Sequence, residues 1–259
     1  MAPKRPSGAG AFPKPVESPA PKKRPNPTDL YAALDLGTNS CRMLIAQPKG
    51  NQFHVVDSFS KSVQLGAGLE RSGRLNRGAM QRTVQALRVC QQKLKSHRVK
   101  HMRLVATEAC RRAENSRQFL TQVRRETGIK LEIIKPEEEA RLAVISCAPL
   151  VSTNTEQLLV VDIGGGSTEL IIGTDHQPEL LESLFMGCVS ASQRFFPPGT
   201  APTAQGMKKA RLAARQEMES IEAAYRARGW DDAIGASGTI LAVQDAQAEL
   251  LGAPGPITP

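Results

Sequence analysis

The chain has 259 residues, of which 40% are hydrophobic, and a formal net charge of +9. That length can bury one large core or two small ones. Residues 1–27 hold six Lys or Arg and one Glu, so most of the charge lies in a tail and indicates no specific nucleic-acid partner. The chain has no run of about 18 apolar residues, and its five cysteines lack C-x-x-C spacing. We therefore expect a cytoplasmic protein without a membrane span, a zinc site or a disulfide framework.

The first predicted element is the tail itself. Residues 1–27 contain eight prolines and few large apolar residues, a composition that cannot bury enough surface to fold. We predict that this segment is disordered and that folded structure begins near residue 28.

Residues 28–142 are predicted to form an N-terminal domain. Asn76 and Asn115 are candidate helix caps, Gly128 is a candidate helix end, and Pro136 suits the first turn of a helix. In chain order, the apolar patterns predict a hairpin of strands 31–36 and 43–46, strands 53–59 and 63–65, a helix from Asn76 to about 96, a strand over 102–106, a helix between Asn115 and Gly128, a strand over 130–134 and a helix from Pro136 to about 148.

Residues 143–259 are predicted to form a second domain that repeats the first and is incomplete at its C-terminus. Its predicted elements are a hairpin of strands 158–163 and 170–172, a strand over 179–185, a long helix with Ala214, Met218, Ile221 and Tyr225 on one face, and a glycine-rich loop over 235–239. Two βββαβα halves around a cleft predict an α/β protein of the actin-like, ribonuclease H-like (ASKHA) fold, with ligand in the cleft. Apolar surface left by an incomplete domain would need a partner, and a homodimer is one expected state.

Each predicted hairpin carries the same short phrase. Asp-Leu-Gly-Thr-Asn-Ser begins at Asp35, and Asp-Ile-Gly-Gly-Gly-Ser begins 127 residues later at Asp162. Glycine-rich tips can aim successive backbone N–H groups at one spot, a geometry that binds phosphate oxygens. The predicted phosphate-binding residues are Gly37, Thr38, Asn39 and Ser40 in the first loop and Gly164, Gly165, Gly166, Ser167 and Thr168 in the second. The leading aspartates are candidates for holding a divalent cation or orienting a water.

Five phrases in order resemble one family, the exopolyphosphatase and guanosine-pentaphosphate phosphohydrolase (Ppx/GppA phosphatase) family. Each phrase alone is a weak signal, and their order and spacing make the resemblance specific. They are Ala-Leu-Asp-Leu-Gly-Thr-Asn-Ser at 33–40, Ala-Thr-Glu-Ala-Cys-Arg-Arg-Ala-Glu-Asn at 106–115, Glu-Glu-Glu-Ala-Arg-Leu at 137–142, Val-Asp-Ile-Gly-Gly-Gly-Ser-Thr-Glu at 161–169 and Gly-Ala-Ser-Gly-Thr at 235–239.

The resemblance implies Mg²⁺-dependent hydrolysis of a terminal phosphoanhydride, with release of orthophosphate. It assigns the water-activating base to Glu139, a phosphate contact to Arg111, and metal coordination or water alignment to Asp162 and Glu169, with Asp35 as a further metal candidate. General chemistry agrees, because phosphoryl transfer needs charge neutralisation and a positioned water rather than a covalent step. The simpler alternatives are that three glutamates merely favour a helix start and that Arg111 forms a surface ion pair.

The third glycine loop is predicted to contribute backbone contacts only, through Gly235, Ser237 and Gly238. Ser237 is not expected to be a nucleophile, because no histidine follows at a recognisable triad spacing.

Four functions stay open at this point. The first is hydrolysis of inorganic polyphosphate, and the second is hydrolysis of guanosine pentaphosphate, which presents the same terminal phosphoanhydride. A kinase of the same fold would need an acidic residue beside an acceptor sugar, and none is found outside the named loops. A noncatalytic polyphosphate- or nucleotide-binding module is the fourth.

Overall fold

The structure is a computed structural model that describes residues 29–50, 52–147, 150, 156–174, 177–196 and 199–252. The predicted disordered tail, residues 1–27, lies outside the described residues. Within them the chain forms two β-sheets with helices packed against them.

The first sheet has strands in the order β3-β2-β1-β4-β5. Strand β1 pairs antiparallel with β2 and parallel with β4, β2 pairs antiparallel with β3, and β4 pairs parallel with β5. The strands are β1 (Tyr31–Leu36), β2 (Ser40–Lys49), β3 (Gln52–Ser62), β4 (His101–Ala106) and β5 (Glu132–Ile133). Because β1, β4 and β5 run parallel, their carboxyl ends meet at one edge, where Asp35 lies.

Four helices accompany this sheet: α1 (Leu69–Ser72), α2 (Arg77–Ser96), α3 (Glu108–Arg112) and α4 (Ser116–Thr127). The Asn76 side chain caps α2 by accepting the Ala79 N–H at 2.7 Å, as predicted. Gly128 ends α4 with a φ of 71°, a left-handed conformation that glycine adopts without strain. Helices α2 and α4 pack on each other, and one apolar core fills the space beneath the sheet.

The second sheet repeats the first four strands in the order β8-β7-β6-β9. Strand β6 pairs antiparallel with β7 and parallel with β9, as β1 does with β2 and β4. The strands are β6 (Leu158–Ile163), β7 (Thr168–Thr174), β8 (Gln177–Leu184) and β9 (Asp232–Ala236). The duplication indicated by the two loop phrases is therefore present in the sheet topology.

The remaining helices are α5 (Pro136–Cys147), α6 (Cys188–Phe195), α7 (Ala204–Arg228) and α8 (Ser237–Leu251). Alternate residues of β6 face opposite sides of the sheet: Leu158 and Val160 pack with α5, whereas Leu159 packs with Tyr225 of α7. Helix α5 thus packs against the second sheet. This packing leads us to propose a domain boundary before Pro136 rather than at residue 142.

Several local predictions differ from the structure. Residues 63–65 were expected to form a strand, but the Val63 and Gln64 N–H groups donate to the Asn39 carbonyl, so this buried segment supports the first loop instead. Asn115 does not cap α4, because its side chain bonds both backbone groups of Leu75. Strand β5 covers two residues rather than five. Helices α1, α3 and α6 have four, five and eight residues, which is too short for a periodic apolar pattern.

All five cysteines are free thiols, and four of them are buried. In the described part of the chain, no helix combines the length and apolar character that a membrane crossing requires. A cytoplasmic location stays a prediction.

Candidate functional site

The two glycine loops fold into the same turn. In the first, the Gly37 N–H donates to the Ser40 carbonyl at 2.9 Å, and in the second, the Gly164 N–H donates to the Ser167 carbonyl at 2.9 Å. Each turn joins the two antiparallel strands of its hairpin. The sequence prediction of two equivalent hairpin loops is confirmed by this geometry.

The loop tips face each other directly. A methyl group built on Gly165 would lie 3.2 Å from the Thr38 Cβ and 3.4 Å from the Asn39 Cβ, and one on Gly166 would lie 3.2 Å from the Thr38 Oγ1. Among the described residues, none accepts a hydrogen bond from the tip N–H groups of Thr38, Asn39, Gly165 and Gly166. Backbone donors from both sheets that have no acceptor among the described residues therefore lie in the two loop tips on either side of this contact, which makes the contact a candidate site for an anion.

Helix α6, which the sequence did not predict, holds the second loop from behind. The N–H groups of Cys188 and Val189 donate to the carbonyls of Gly164 and Gly165, each at 2.9 Å, and the Ser190 N–H also donates to Gly165 at 3.1 Å. The loop carbonyls are thereby occupied by the helix. The Thr168 hydroxyl, predicted to bind phosphate, donates to the Met186 carbonyl at 2.6 Å and so fastens the same segment.

Gly187 makes this close approach possible. A Cβ at Gly187 would lie 2.5 Å from the Gly165 carbonyl carbon and 2.6 Å from the Gly166 nitrogen. We expect Gly187→Ala to displace the second loop and to raise KM for an anionic substrate by at least about tenfold, because ground-state contacts are lost with the loop. Steady-state kinetics check this with Gly78→Ala as control, since Gly78 is an exposed helical glycine at which a Cβ would come no closer than 3.5 Å to a neighbouring atom. An unchanged KM in Gly187→Ala would show that the loop tip does not bind substrate.

Four acids lie beside the loops, and each comes from a different strand or helix. Asp35 and Asp162 are the next-to-last residues of β1 and β6, Glu169 lies in β7, and Glu139 lies in the first turn of α5. In the register of the second hairpin, Asp162 is opposite Glu169; at the equivalent position of the first, Asp35 is opposite Arg42. Arg42 was not among the predicted site residues, although the loop repeat could have identified it, because Arg42 and Glu169 each lie seven residues after the aspartate that begins their phrase.

Burial raises the pKa of all four carboxyl groups, and the acids reinforce one another. The pKa of Asp35 rises to about 6, with the Asp162 charge adding to burial and Arg42 opposing it. The pKa of Glu169 rises to about 7, with the charges of Glu139 and Asp162 adding to burial. Burial also raises the pKa of Asp162 and of Glu139. The four groups therefore share one electrostatic environment.

This electrostatic environment suits a divalent cation. Among the described residues no three His, Cys, Asp or Glu side chains are grouped closely enough to ligate one ion together. Mg²⁺ commonly takes one or two carboxylates and completes its shell with water and substrate phosphates. The four carboxylates repel one another when ionised, and a cation bound to one or two of them would offset that repulsion.

Arg111 connects the first sheet to Glu139. Its Nη1 donates to Glu139 Oε2 at 2.7 Å and to the Ile134 carbonyl at 2.9 Å. On its other side, Nε and Nη2 both donate to Glu108 Oε2, at 3.2 and 3.0 Å. Arg111 also lowers the pKa of Glu139 against the effect of burial. Glu108 lies in the unpredicted helix α3, and its ion pair with Arg111 is the simpler alternative that the sequence left open, although the pair is largely buried rather than on the surface.

The third glycine phrase, residues 235–239, was predicted as a loop but forms the end of β9 and the first turn of α8, and it reaches the same place. The Ser237 hydroxyl donates to the Ile163 carbonyl at 2.7 Å, and its nearness lowers the pKa of Asp162 against the effect of burial. The Ser237 φ of 80° marks a strained turn between β9 and α8. A Cβ on Gly238 would lie 3.1 Å from Arg42 Nη2, whereas one on Gly235 would lie 2.5 Å from the Ile240 Cγ2. Gly235 therefore makes room for α8, and its phosphate contact stays a prediction.

A small cavity of about 10 Å³ lies between the two halves of the protein, next to the loop tips. It is lined by both loop tips and by α1, α3 and α6, including Thr38, Glu108, Arg112, Gly165 and Gly166. The Arg112 guanidinium, lying 5.8 Å from the centre of the Phe185 ring, also links the two halves here. The structure thus brings the two loops, the four acids and Arg111 together at the junction of the two sheets.

Known proteins are similar to this chain in sequence and in fold. A family model described as the Ppx/GppA phosphatase family matches residues 44–256. A guanosine-5'-triphosphate,3'-diphosphate pyrophosphatase of Aeromonas hydrophila subsp. hydrophila is 38% identical over 216 residues, which are 83% of this chain and 43% of that protein. The chain therefore spans less than half the length of this curated relative.

Solved structures agree with the family match. The crystal structure of an Aquifex aeolicus Ppx/GppA family member has 30% identity and a TM-score of 0.68, with 86% of this chain and 70% of that chain covered. An exopolyphosphatase from Cytophaga hutchinsonii has 24% identity and a TM-score of 0.79, with 86% and 72% covered, a likeness that shows the common fold. The actin-like architecture expected from the sequence is confirmed.

Proposed function

Because the chain belongs to the Ppx/GppA phosphatase family, we propose that it hydrolyses the terminal phosphoanhydride bond of a polyanion and releases orthophosphate. The observation that supports this most is the meeting of Glu139 with three further acids beside two loops whose tip N–H groups are unpaired among the described residues. Donors for a phosphoryl group and an acceptor for a proton are the two requirements of the reaction.

In the proposed reaction, Glu139 accepts a proton from a water whose oxygen attacks the terminal phosphorus. The bond from that phosphorus to the bridging oxygen breaks, and the electron pair leaves with the shortened chain. Burial raises the pKa of Glu139, and a raised pKa makes its carboxylate a better proton acceptor. The tip N–H groups of Thr38, Asn39, Gly165 and Gly166 would donate to the nonbridging oxygens, with Arg42 and Arg111 supplying positive charge.

Mg²⁺ or another divalent cation would be held by one or two of the carboxylates of Asp35, Asp162 and Glu169, with water and substrate phosphates completing its shell, and it would supply further neutralisation of the phosphate charge. The remaining loop residues, Gly37, Ser40, Gly164, Ser167 and Gly238, would shape the turns and the polar surface around the phosphates. Ser167 and Ser183 bond Glu169 and would keep its carboxylate directed toward the site.

We propose inorganic polyphosphate as the main substrate, because a repeating anion can use both loops at once. Guanosine pentaphosphate is the second candidate, and it is favoured by the name of the curated relative from Aeromonas hydrophila. A noncatalytic module that binds either anion is the third. A cytoplasmic location and a homodimer complete the proposal.

Orthophosphate release from long-chain polyphosphate, guanosine pentaphosphate and ATP, each with and without Mg²⁺, tests the proposal. We expect multiple turnovers on polyphosphate that need Mg²⁺ and disappear in Glu139→Gln. Release from guanosine pentaphosphate alone would support the proposed reaction but would identify guanosine pentaphosphate, not polyphosphate, as the substrate. Tight binding of polyphosphate without turnover on any of the three would identify a binding module and overturn the proposed activity.

A further inference from the structure

Glu108 is a buried acid to which neither the loop phrases nor the proposed chemistry gives a role. It lies in the short helix α3, directly after β4, and is 7% exposed. The second loop packs against its side chain, since a Cβ on Gly166 would lie 3.4 Å from the Glu108 Cγ. The side chain is therefore enclosed by both halves of the protein and has little freedom to move.

The two oxygens of Glu108 are used unequally. Oε2 accepts both the Nε and the Nη2 hydrogen bonds of Arg111, at 3.2 and 3.0 Å. Oε1 is buried and has no hydrogen-bond partner among the described residues; Arg112 Nε is 3.7 Å away. Leaving a buried acceptor unpaired lowers the stability of the folded protein. A glutamate that served only the fold would therefore be unfavourable at this position.

Arg111 transmits the position of Glu108 to Glu139. A guanidinium group has five N–H donors, and hydrogen bonds to described residues occupy four of them: two go to Glu108, one to the Ile134 carbonyl and one to Glu139 Oε2. Only one N–H, on Nη2, is left for a phosphate. Because the fork is planar and rigid, an acceptor fixed at one edge sets the direction of the opposite edge.

We propose that Glu108 is a positioning residue for the reaction: by anchoring the Nε and Nη2 edge of Arg111, it fixes the Nη1 edge that orients the Glu139 carboxylate. The inference rests on the proposed function, in which Glu139 is the base. The chain Glu108–Arg111–Glu139 has two ion pairs, at 3.0 and 2.7 Å, and its middle member is 14% exposed in its side chain.

Three substitutions separate geometry from charge. Glu108→Gln keeps an acceptor oxygen at the same reach and removes the charge, and a single oxygen already accepts both Arg111 bonds. Glu108→Asp keeps the charge and shortens the reach by one methylene. Glu108→Ala removes both. The control Glu126→Ala breaks a different glutamate–arginine pair of the first sheet's helices, with Arg88 at 2.8 Å.

We expect kcat to fall roughly 10- to 100-fold in Glu108→Asp and Glu108→Ala, since a misplacement of about 1 Å can cost that much. KM should change less than threefold. Glu108→Gln should keep at least a third of the wild-type kcat, and Glu126→Ala should match the wild type. A wild-type kcat in Glu108→Asp, or a kcat in Glu108→Gln as low as in Glu108→Ala, would overturn the inference.

A second readout needs no turnover. Hydrogen exchange of the Arg111 Nε–H, followed by NMR and assigned with Arg111→Lys, should be slow in the wild type and in Glu108→Gln. It should be at least about tenfold faster in Glu108→Asp. Equal exchange in all variants would overturn the inference even if kcat fell, because the loss would then reflect folding. If the wild-type protein releases no phosphate, the proposed function is wrong. The hydrogen-exchange measurements on the Glu108 variants still show whether Glu108 holds Arg111 in place.

Discussion

Replacing Glu139 by glutamine is expected to reduce turnover by about 10²-fold or more while leaving substrate affinity within a fewfold of the wild type. Glutamine has the same shape as glutamate but cannot accept the proton of the attacking water. Its amide oxygen can still accept the Arg111 Nη1 hydrogen bond, which is 2.7 Å long in the structure. The variant therefore removes proton transfer and keeps the local architecture.

Kinetics and binding together measure this effect. Orthophosphate release gives kcat, and calorimetric titration with polyphosphate gives Kd for the same preparation. Glu137→Gln is the matched control, because Glu137 belongs to the same first turn of α5, is exposed and makes no ion pair with a described residue. An equal loss of binding and turnover in Glu139→Gln would assign Glu139 to substrate or metal binding rather than to proton transfer.

The parts of this site that could be predicted from the sequence depend on local chemistry. The two loops follow from an aspartate, glycines and a serine between apolar strands, and the same residues form the Gly37–Ser40 and Gly164–Ser167 turns. Helix α5 begins at Pro136, as the fixed φ of proline favours. Residues that are neighbours in the chain are sufficient to specify these features.

Other parts depend on contacts between distant segments. Gly187 is needed because α6 approaches Gly165 closely, and no pattern around residue 187 signals that approach. Glu108 reaches Arg111 only because residues 108–112 form one helical turn, and α3 is too short to show a periodicity. Helix α5 follows the first half in the chain but packs on the second sheet. Chain order alone therefore does not show which of the two sheets it packs against.

Arg42 is an intermediate case. The antiparallel register of β1 and β2 puts it opposite Asp35, and the loop repeat puts Glu169 opposite Asp162. Alignment of the two phrases would therefore have predicted a cation in one half and an acid in the other at the same position. This difference leaves the site with side chains that can carry charges of both signs.

The metal-free protein is expected to become less stable as pH rises from about 5 to 8. Glu169 has a pKa of about 7 in the folded protein, against an ordinary value of 4.5. Between these values the unfolded chain has released the proton that the folded protein keeps, so the unfolding free energy falls with rising pH. The raised pKa of Asp35, about 6, acts in the same direction.

Glu169 alone accounts for about 3 kcal/mol over this interval, because its carboxyl group is 2% exposed and each pKa unit corresponds to about 1.4 kcal/mol. That energy corresponds to a fall in Tm of roughly 6–12 °C for a chain of this size. The lowered pKa values of Asp57 and Glu138, both about 2, do not oppose it, since the stability they contribute is lost only below about pH 4.5.

Thermal unfolding at pH 5.5 and 8, each with EDTA and with Mg²⁺, measures the effect. We expect Tm in EDTA to be higher at pH 5.5, and Mg²⁺ to raise Tm mainly at pH 8, where the carboxylates are ionised and repel one another. Glu169→Gln should flatten the pH dependence in EDTA, because its amide cannot ionise. A Tm in EDTA that rises from pH 5.5 to 8 would mean that cations already in the cleft, Arg42 and Arg111, outweigh the repulsion among the four acids, and that a divalent cation is not needed to hold this site together.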